Sequence, residues 1–314
     1  MVVDTILFGD CRETLKEFDG KARTCVTSPP YYGLRDYGGE ESQIGQEQTP
    51  EEYIQNLVEV FRSVRDVLTD DGTLWVNIGD SYYNYRPGKG QALPKQTVSK
   101  TKQDLPDKCA KRGNKLEGLK EKDLIGIPWM LAFALRADGW YLRQDIIWHK
   151  PNPMPESVKD RCTKAHEYIF LLSKNRYYKY DHEAIKEPVK QDWGTRDRTN
   201  GKYHNPGTGL APHSGLTKSY DRKNKRSVWT VTNKPYKGAH FAVFPPDLIE
   251  PCILAGSEEN DIVLDPFMGS GTTAMLAKKH NRKYIGCELN EDYASLQTDR
   301  IDSIPSQLPA ILWK

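Results

Sequence analysis

Apolar residues recur along this chain with two different spacings. Between residues 50 and 68 they stand at positions 54, 57, 58, 61, 64 and 68, which is the stripe of an amphipathic helix. Residues 122–136 predict a second helix, with Pro128 in its first turn. Short apolar runs predict buried strands at 22–27, 261–265 and 283–288. Strands that alternate with helices are typical of an α/β fold.

A glycine-rich turn, 269–274, separates the strand at 261–265 from a predicted helix at 274–280. Its sequence has the form G-x-G-x-x-A, in which glycines let a ligand approach the backbone closely. Glu288 ends the next strand roughly 20 residues later, the offset at which a Rossmann-type fold binds ribose hydroxyls. The pattern predicts a ligand that carries a ribose.

Asp265 stands at the strand end directly before this turn. Its carboxylate would repel a pyrophosphate and attract an ammonium or sulfonium group. A Walker loop is excluded because no Lys follows the glycines. S-adenosylmethionine therefore fits better than NAD or ATP. The alternative is a turn that serves packing only.

A second site-like segment, Ser-Pro-Pro-Tyr at 28–31, follows the first predicted strand. Its prolines lack N–H donors, so their carbonyl oxygens remain as acceptors that suit an amino group. Ser28 adds a hydroxyl acceptor, and Tyr31 offers a flat face on which a base could stack, worth about 1–3 kcal/mol. In isolation, a rigid turn capped by a core tyrosine is the simpler interpretation.

Together the two segments resemble those of the DNA amino-methyltransferases of permuted, β-type order, in which the target-amine motif precedes the cofactor motif. The resemblance extends through the segments 6–11, 72–80, 142–150, 167–173 and 240–247. It implies a three-layer, Rossmann-like α/β methyltransferase fold with a seven-stranded, mostly parallel sheet. It also implies S-adenosyl-L-methionine as the cofactor and double-stranded DNA as the substrate.

The resemblance assigns roles to individual residues. The amine of a base is a poor nucleophile because its lone pair is delocalised into the ring, and acceptors such as Ser28 and the Pro29 carbonyl draw its nitrogen toward tetrahedral geometry. The catalytic residues expected are Ser28, Pro29, Pro30, Tyr31 and Asp80. The cofactor-binding residues expected are Asp10, Cys11, Asp265, Pro266, Phe267, Gly269, Ser270, Gly271, Thr272 and Glu288.

Two roles stay open near the target. Asp80 or Asn77 could lie beside the base, and Asp80 is the one able to accept a proton. The alternative for Asp80 is the N-cap of a following helix. Cys252 follows Pro251 in an apparently amphipathic helix and is expected in the core, which argues against a C5-cytosine enzyme.

The first residue of the Ser-Pro-Pro-Tyr motif bears on the base. In this family Ser usually accompanies the N4 amine of cytosine and Asp the N6 amine of adenine, so cytosine is expected. The alternatives are an adenine enzyme, an RNA methyltransferase and a non-catalytic DNA-binding protein.

The formal net charge is +2, but basic residues concentrate in two segments. Residues 174–237 carry roughly 15 Lys and Arg against about 6 acidic residues, and residues 86–122 roughly 11 against about 4. We expect a catalytic domain formed by 1–174, with a basic insertion at about 82–122, and 234–314. Between them lies a target-recognition region, 175–233. Its candidate DNA-contacting residues are Arg196, Arg198, Arg222 and Arg226.

Composition excludes several classes. No run of about 18 apolar residues predicts a membrane span. No secretory signal is expected at the N-terminus. Six cysteines without C-x-x-C spacing indicate a reduced interior and no metal site. We expect a cytoplasmic protein of a bacterium or bacteriophage; a homodimer and a cognate restriction endonuclease are open as partners.

Overall fold

The architecture is taken from a computed structural model, which describes residues 2–33, 43–83, 118–189, 221–233 and 244–304. Its main helices are α1 (Cys11–Thr14), α2 (Pro50–Val67), α3 (Ile127–Ala137), α4 (Pro246–Gly256), α5 (Thr272–Lys279) and α6 (Ala294–Asp302). The strands are β1 (Thr5–Phe8), β2 (Ala22–Thr27), β3 (Leu68–Ile78), β4 (Tyr141–His149), β5 (His166–Ser173), β6 (Glu187–Pro188), β7 (Arg222–Lys223), β8 (Val228–Thr230), β9 (Ile262–Asp265) and β10 (Lys283–Glu288).

The central sheet has the strand order β1-β10-β9-β2-β3-β5-β4-β8. Strand β5 is antiparallel to β3 and β4, and the other neighbours are parallel. The predicted mostly parallel α/β sheet is therefore confirmed. An eighth strand, β8, comes from the predicted recognition region and adds to the edge beside β4.

Helices cover both faces of the sheet, which gives the predicted three layers. One buried cluster packs α2 and α3 against the sheet, with Phe61 and Leu131 among its members. The second packs α4, α5 and α6 on the other face, with Ile249, Leu276 and Ile301. The cysteines at 11, 25, 252 and 287 are buried in these clusters, so Cys252 lies in the core as predicted.

The predicted apolar stripe of α2 forms its buried face: Ile54, Leu57, Val58, Phe61 and Val64 all lie in the core. The helix begins with a capping box, in which the Thr49 hydroxyl accepts from the Glu52 N–H and the Glu52 carboxylate accepts from the Thr49 N–H. It ends at Val67, and Leu68 already belongs to β3.

Helix α3 begins at Ile127, five residues later than the apolar pattern predicts. The reason is Gly126, whose φ of 89° is left-handed and ends any helix that would approach it from residue 122. Within the described ranges, none of the helices is long and apolar enough to cross a bilayer. The same ranges contain no group of three or more His, Cys, Asp or Glu placed to hold a metal ion.

Candidate active site

The site lies at the carboxyl edge of the parallel strands, where β9 ends in Asp265, β10 in Glu288 and β2 in Thr27. Strand β5 runs in the opposite direction, so its first residues, including Glu167, reach the same edge. The fold thus gathers side chains from both ends of the sequence.

A buried set of hydrogen bonds, called the Asp265 clamp below, joins Asp265 to Thr27, Thr273 and Phe267. Asp265 is 1% exposed, and its carboxylate accepts hydrogen bonds from the Thr27 hydroxyl at 2.6 Å, the Thr273 hydroxyl at 2.7 Å and the Phe267 N–H at 3.0 Å. Burial raises the pKa of Asp265 to about 6, although these three donors oppose the rise. The sequence predicts that this carboxylate attracts a cationic ligand. Its contacts instead join the strand before Ser28 to the glycine turn.

The glycine turn (266–272) is fixed from two sides. Gly269 and Gly271 adopt φ values of 53° and 81°, which favour glycine, and Gly271 is the N-cap residue of α5. Helix α6 holds the turn through the Gln297 amide, which donates to the Gly269 carbonyl at 2.7 Å, and the Arg300 guanidinium, which donates to the Ser270 hydroxyl at 2.6 Å. Sequence reasoning missed Gln297 and Arg300 because nothing in their spacing marks them.

Glu288 faces the same turn. One carboxylate oxygen accepts from the Gly269 N–H at 2.8 Å and the other from the Asn290 N–H at 3.0 Å. Burial raises the pKa of Glu288 to about 7, although these N–H groups oppose the rise. Each oxygen has a second lone pair, so the carboxylate still has the capacity to accept from ligand hydroxyls.

Asp10 and Cys11 follow β1, the neighbour of β10 in the sheet. The Gly9 N–H donates to the Glu288 carbonyl at 2.8 Å, which places both residues beside Glu288. Asp10 caps α1 by accepting from the Arg12 N–H at 2.8 Å and also pairs with its guanidinium. Partial burial acts to raise the pKa of Asp10, but the hydrogen bonds from Arg12 lower it below its usual value.

In the Ser-Pro-Pro-Tyr motif (28–31), the two proline carbonyls differ. The Tyr53 hydroxyl donates to the Pro30 carbonyl at 2.7 Å, so that oxygen helps to anchor the loop on α2. The Pro29 carbonyl accepts no hydrogen bond from the described part of the chain. Of the two, the Pro29 carbonyl, which the sequence predicts as an amine acceptor, is the one without a described donor.

Tyr31 is held at its ring and at its hydroxyl. A Cβ at Gly79 would lie 2.7 Å from the Tyr31 ring, so the two are in close contact. The hydroxyl donates to the Glu167 carboxylate at 2.7 Å, and the Ser28 side chain lies near it and acts to lower its pKa. Burial and the charge of Glu167 raise the pKa of Tyr31 well above its usual value, which keeps the phenol neutral.

Glu167 is a site residue that the sequence interpretation missed. Besides the Tyr31 hydroxyl it accepts from the Asn77 side-chain amide at 3.3 Å, and it forms an ion pair with Lys150. Asn77 also donates to the Tyr168 carbonyl at 3.1 Å. A charged residue at the start of an otherwise apolar strand is the signal that could have identified Glu167.

The Asp80 side chain caps the start of α3. Its carboxylate accepts from the N–H groups of Ser81 at 2.9 Å, Gly126 at 3.0 Å and Ile127 at 3.1 Å. Of the two roles that the sequence left open, these contacts favour the cap. The Lys164 ammonium donates to the Asp80 carbonyl at 2.9 Å, and burial lowers the pKa of Lys164.

Two of the four predicted DNA-contacting arginines belong to the part of the chain that the structure describes. Arg196 and Arg198 lie outside the described residues. Arg222 donates to the Lys186 carbonyl at 2.8 Å, and Arg226 pairs with Glu187 at 2.6 Å. Arg222 is thus part of the small β6-β7 pair, of which it begins β7. Arg226 follows β7 and has an acidic partner in β6.

Comparison with known proteins agrees with this geometry. A family model described as DNA methylase matches residues 22–299. Type II methyltransferase M.SmaI of Serratia marcescens is 48% identical over 302 residues, which cover 94% of this chain and 90% of the relative. Type II methyltransferase M.XycI of Xanthomonas campestris pv. cyanopsidis is 47% identical over 298 residues, 95% of this chain and 87% of the relative.

Solved structures share the fold. The cytosine-N4-specific PvuII DNA methyltransferase superimposes with a TM-score of 0.61 at 19% identity, over 94% of this chain and 85% of that one. A putative DNA modification methylase of Thermus thermophilus, complexed with S-adenosyl-L-methionine, gives 0.58 at 22% identity, over 96% and 94%.

Proposed function

This chain belongs to the DNA methylase family, and we propose that it transfers a methyl group from S-adenosyl-L-methionine to the N4 amine of a flipped cytosine at a specific site in double-stranded DNA. Membership makes it a DNA methyltransferase; the base and the atom are the proposal. The observation that supports methyl transfer to an amine is the Asp265 clamp, because Thr27 and Thr273 bring the predicted amine acceptors and the start of α5 to one carboxylate, whereas the choice of base rests on Ser28.

The residues at the carboxyl edge fit this cofactor. Glu288 keeps acceptor capacity for ribose hydroxyls, and its raised pKa reflects a pocket with little water. Glycines at 269 and 271 let a ligand lie against the backbone of the turn. Cys11, which is buried, and Asp10 would border the adenine. When bound there, the cofactor supplies an electrophilic methyl group.

The amine would be held by the Ser28 hydroxyl and the Pro29 carbonyl, whereas the Pro30 carbonyl already anchors the loop through Tyr53. Both acceptors follow Thr27 directly, so the clamp fixes them relative to the turn. Tyr31 would stack on the base as a neutral phenol. Positioning of this kind supplies several kcal/mol of barrier reduction without a covalent enzyme intermediate.

Cytosine is favoured over adenine because the motif begins with Ser28, which resembles the cytosine-N4 pattern. The cytosine-N4 specificity of the PvuII enzyme agrees with it. We place the recognition region at 175–233, with exposed Arg226 and Arg222 as DNA-contacting candidates. The relatives are Type II methyltransferases, which supports a role beside a cognate restriction endonuclease. Self-association is a further proposal.

The test is mass spectrometry of nucleosides from unmethylated genomic DNA after incubation with the protein and S-adenosylmethionine. We expect N4-methylcytosine. The matched control is Ser28→Ala, which should lose at least about tenfold in turnover while cofactor affinity stays unchanged, since it removes an amine acceptor and leaves the glycine turn and Glu288 unaltered. N6-methyladenine would overturn the base assignment and leave the cofactor site intact. No methylated DNA base would contradict the proposal.

A further inference from the structure

A buried carboxylate lies beneath the Ser-Pro-Pro-Tyr motif. Glu167 and its partner Lys150 expose only 15% and 16% of their side chains. Lys150 follows the last residue of β4, whereas Glu167 is the second residue of β5. Charges with so little water contact are destabilising unless they are well paired.

Glu167 is contacted from three elements. One oxygen accepts from the Tyr31 hydroxyl at 2.7 Å, which comes from the loop after β2, and from the Asn77 amide at 3.3 Å, which comes from β3. The other oxygen pairs with Lys150, whose ammonium also lies 4.2 Å from the centroid of the Trp148 ring. All donors to this carboxylate are therefore fixed by packed elements.

The path from Glu167 to the amine acceptors is short. Tyr31 is three residues from Ser28, whose side chain lies close enough to the Tyr31 hydroxyl to act against the rise of its pKa. The Tyr31 ring cannot move toward β3, because Gly79 is already in close contact with it. The position of the Tyr31 hydroxyl therefore determines where the ring and the short loop that carries Ser28 can lie.

We propose that Glu167, held by Lys150, is a positioning residue for methyl transfer, which fixes Tyr31 and with it the short loop that carries Ser28, the acceptor of the amine. This role rests on the proposed function. Glu167 touches neither the base nor the cofactor; it sets the geometry of the loop that does. A purely structural ion pair would stabilise the fold without affecting the chemical step.

The experiment is a double-mutant cycle on single-turnover methyl transfer with Glu167→Gln and Tyr31→Phe. Each single variant should lose at least about tenfold in rate, and the double variant should be no slower than the slower single one, because both changes break the same contact. Cofactor affinity, which depends on the other half of the edge, should stay within about twofold. The matched control is Glu258→Gln, an exposed glutamate paired with Lys179, which should keep the wild-type rate.

A second double-mutant cycle tests whether a loss of rate is caused by unfolding. Glu167→Gln leaves Lys150 without an anionic partner, so Lys150→Met with Glu167→Gln should recover thermal stability without recovering the rate. Recovery of both would assign the pair to stability and overturn the positioning role. Independent, additive losses from Tyr31→Phe and Glu167→Gln would overturn it as well. An inactive wild type would contradict the proposed function and this role with it, whereas an active wild type and an active Glu167→Gln contradict this role alone.

Discussion

At the scale of single residues, the donors around each carboxylate distinguish its role. Glu288 accepts backbone N–H groups and keeps capacity for a ligand. Asp265 is enclosed by two hydroxyls and one N–H group. Asp80 accepts the N–H groups at the start of a helix, and Glu167 faces a phenol and an ammonium. The four acidic residues at this sheet edge therefore have four different roles.

Glu288 should make cofactor binding pH-dependent. Its pKa is about 7, and only the ionised form offers both oxygens to ribose hydroxyls. The dissociation constant of S-adenosylmethionine should therefore rise as the pH falls from 8.5 to 5.5, measured by isothermal titration calorimetry. Glu288→Gln should bind about tenfold or more weakly and lose this dependence, since a lost hydrogen bond to a charged group costs roughly 1.5–3 kcal/mol. An unchanged pH profile in Glu288→Gln would assign the titration elsewhere.

Asp265 should make stability pH-dependent. Its pKa in the folded chain, about 6, lies above its ordinary value of 3.8, so the folded state binds the proton more tightly. The free energy of unfolding should therefore fall as the pH rises from about 4 to 6, by up to about 3 kcal/mol, because one pKa unit corresponds to about 1.4 kcal/mol. Glu288 contributes with the same sign up to about pH 7.

Asp265→Asn isolates this contribution. The amide retains an acceptor for Thr27, and the Thr273 hydroxyl already lies 3.3 Å from the Val26 carbonyl as an alternative acceptor. Chemical denaturation at pH 4, 5, 6 and 7 should show a flatter profile for Asp265→Asn than for the wild type. Parallel profiles would mean that the Asp265 carboxyl titrates normally in the folded chain.

At the scale of elements, the sequence predicts what local periodicity and strand ends control. Five of the six predicted stripe positions lie on the buried face of α2, because a helix at the surface of a core buries one face whatever its partners, and the sixth, Leu68, belongs to β3. The predicted start of α3 was wrong, because Gly126 and the Asp80 cap determine where the helix begins and the apolar spacing does not. The Tyr31–Glu167 contact joins residues 136 positions apart, and no spacing rule reaches that far.

Asp80 gives an element-scale prediction. Asp80→Ala should lower the free energy of unfolding by about 1 kcal/mol, the usual cost of a lost cap, and Asp80→Asn by less, because its amide oxygen still accepts N–H groups. Methyl-transfer rates of Asp80→Asn should stay within about threefold of wild type. A stable Asp80→Asn variant with a large loss of rate would restore Asp80 to the role of proton acceptor.

At the scale of the whole molecule, the clamp joins Thr27 to Asp265, which are 238 positions apart. The parallel sheet makes this contact ordinary, because both residues end neighbouring strands, β2 and β9. The order of motifs along the chain is therefore independent of their order in space. Both motifs could therefore be identified from the sequence although they lie far apart along the chain. The side chains of α6 and β5 that hold the motifs in place were missed.

The strand β8 has a consequence for how specificity changes over generations. It joins β4 through main-chain bonds, from the Ile147 N–H to the Ser227 carbonyl at 2.8 Å and from the Val231 N–H to the His149 carbonyl at 3.1 Å. Such bonds do not depend on side-chain identity. If the proposed recognition region precedes β8, we expect that a lineage can exchange its residues for others and inherit the same attachment, so that a new DNA sequence would be read while the methyl-transfer chemistry passes on unaltered.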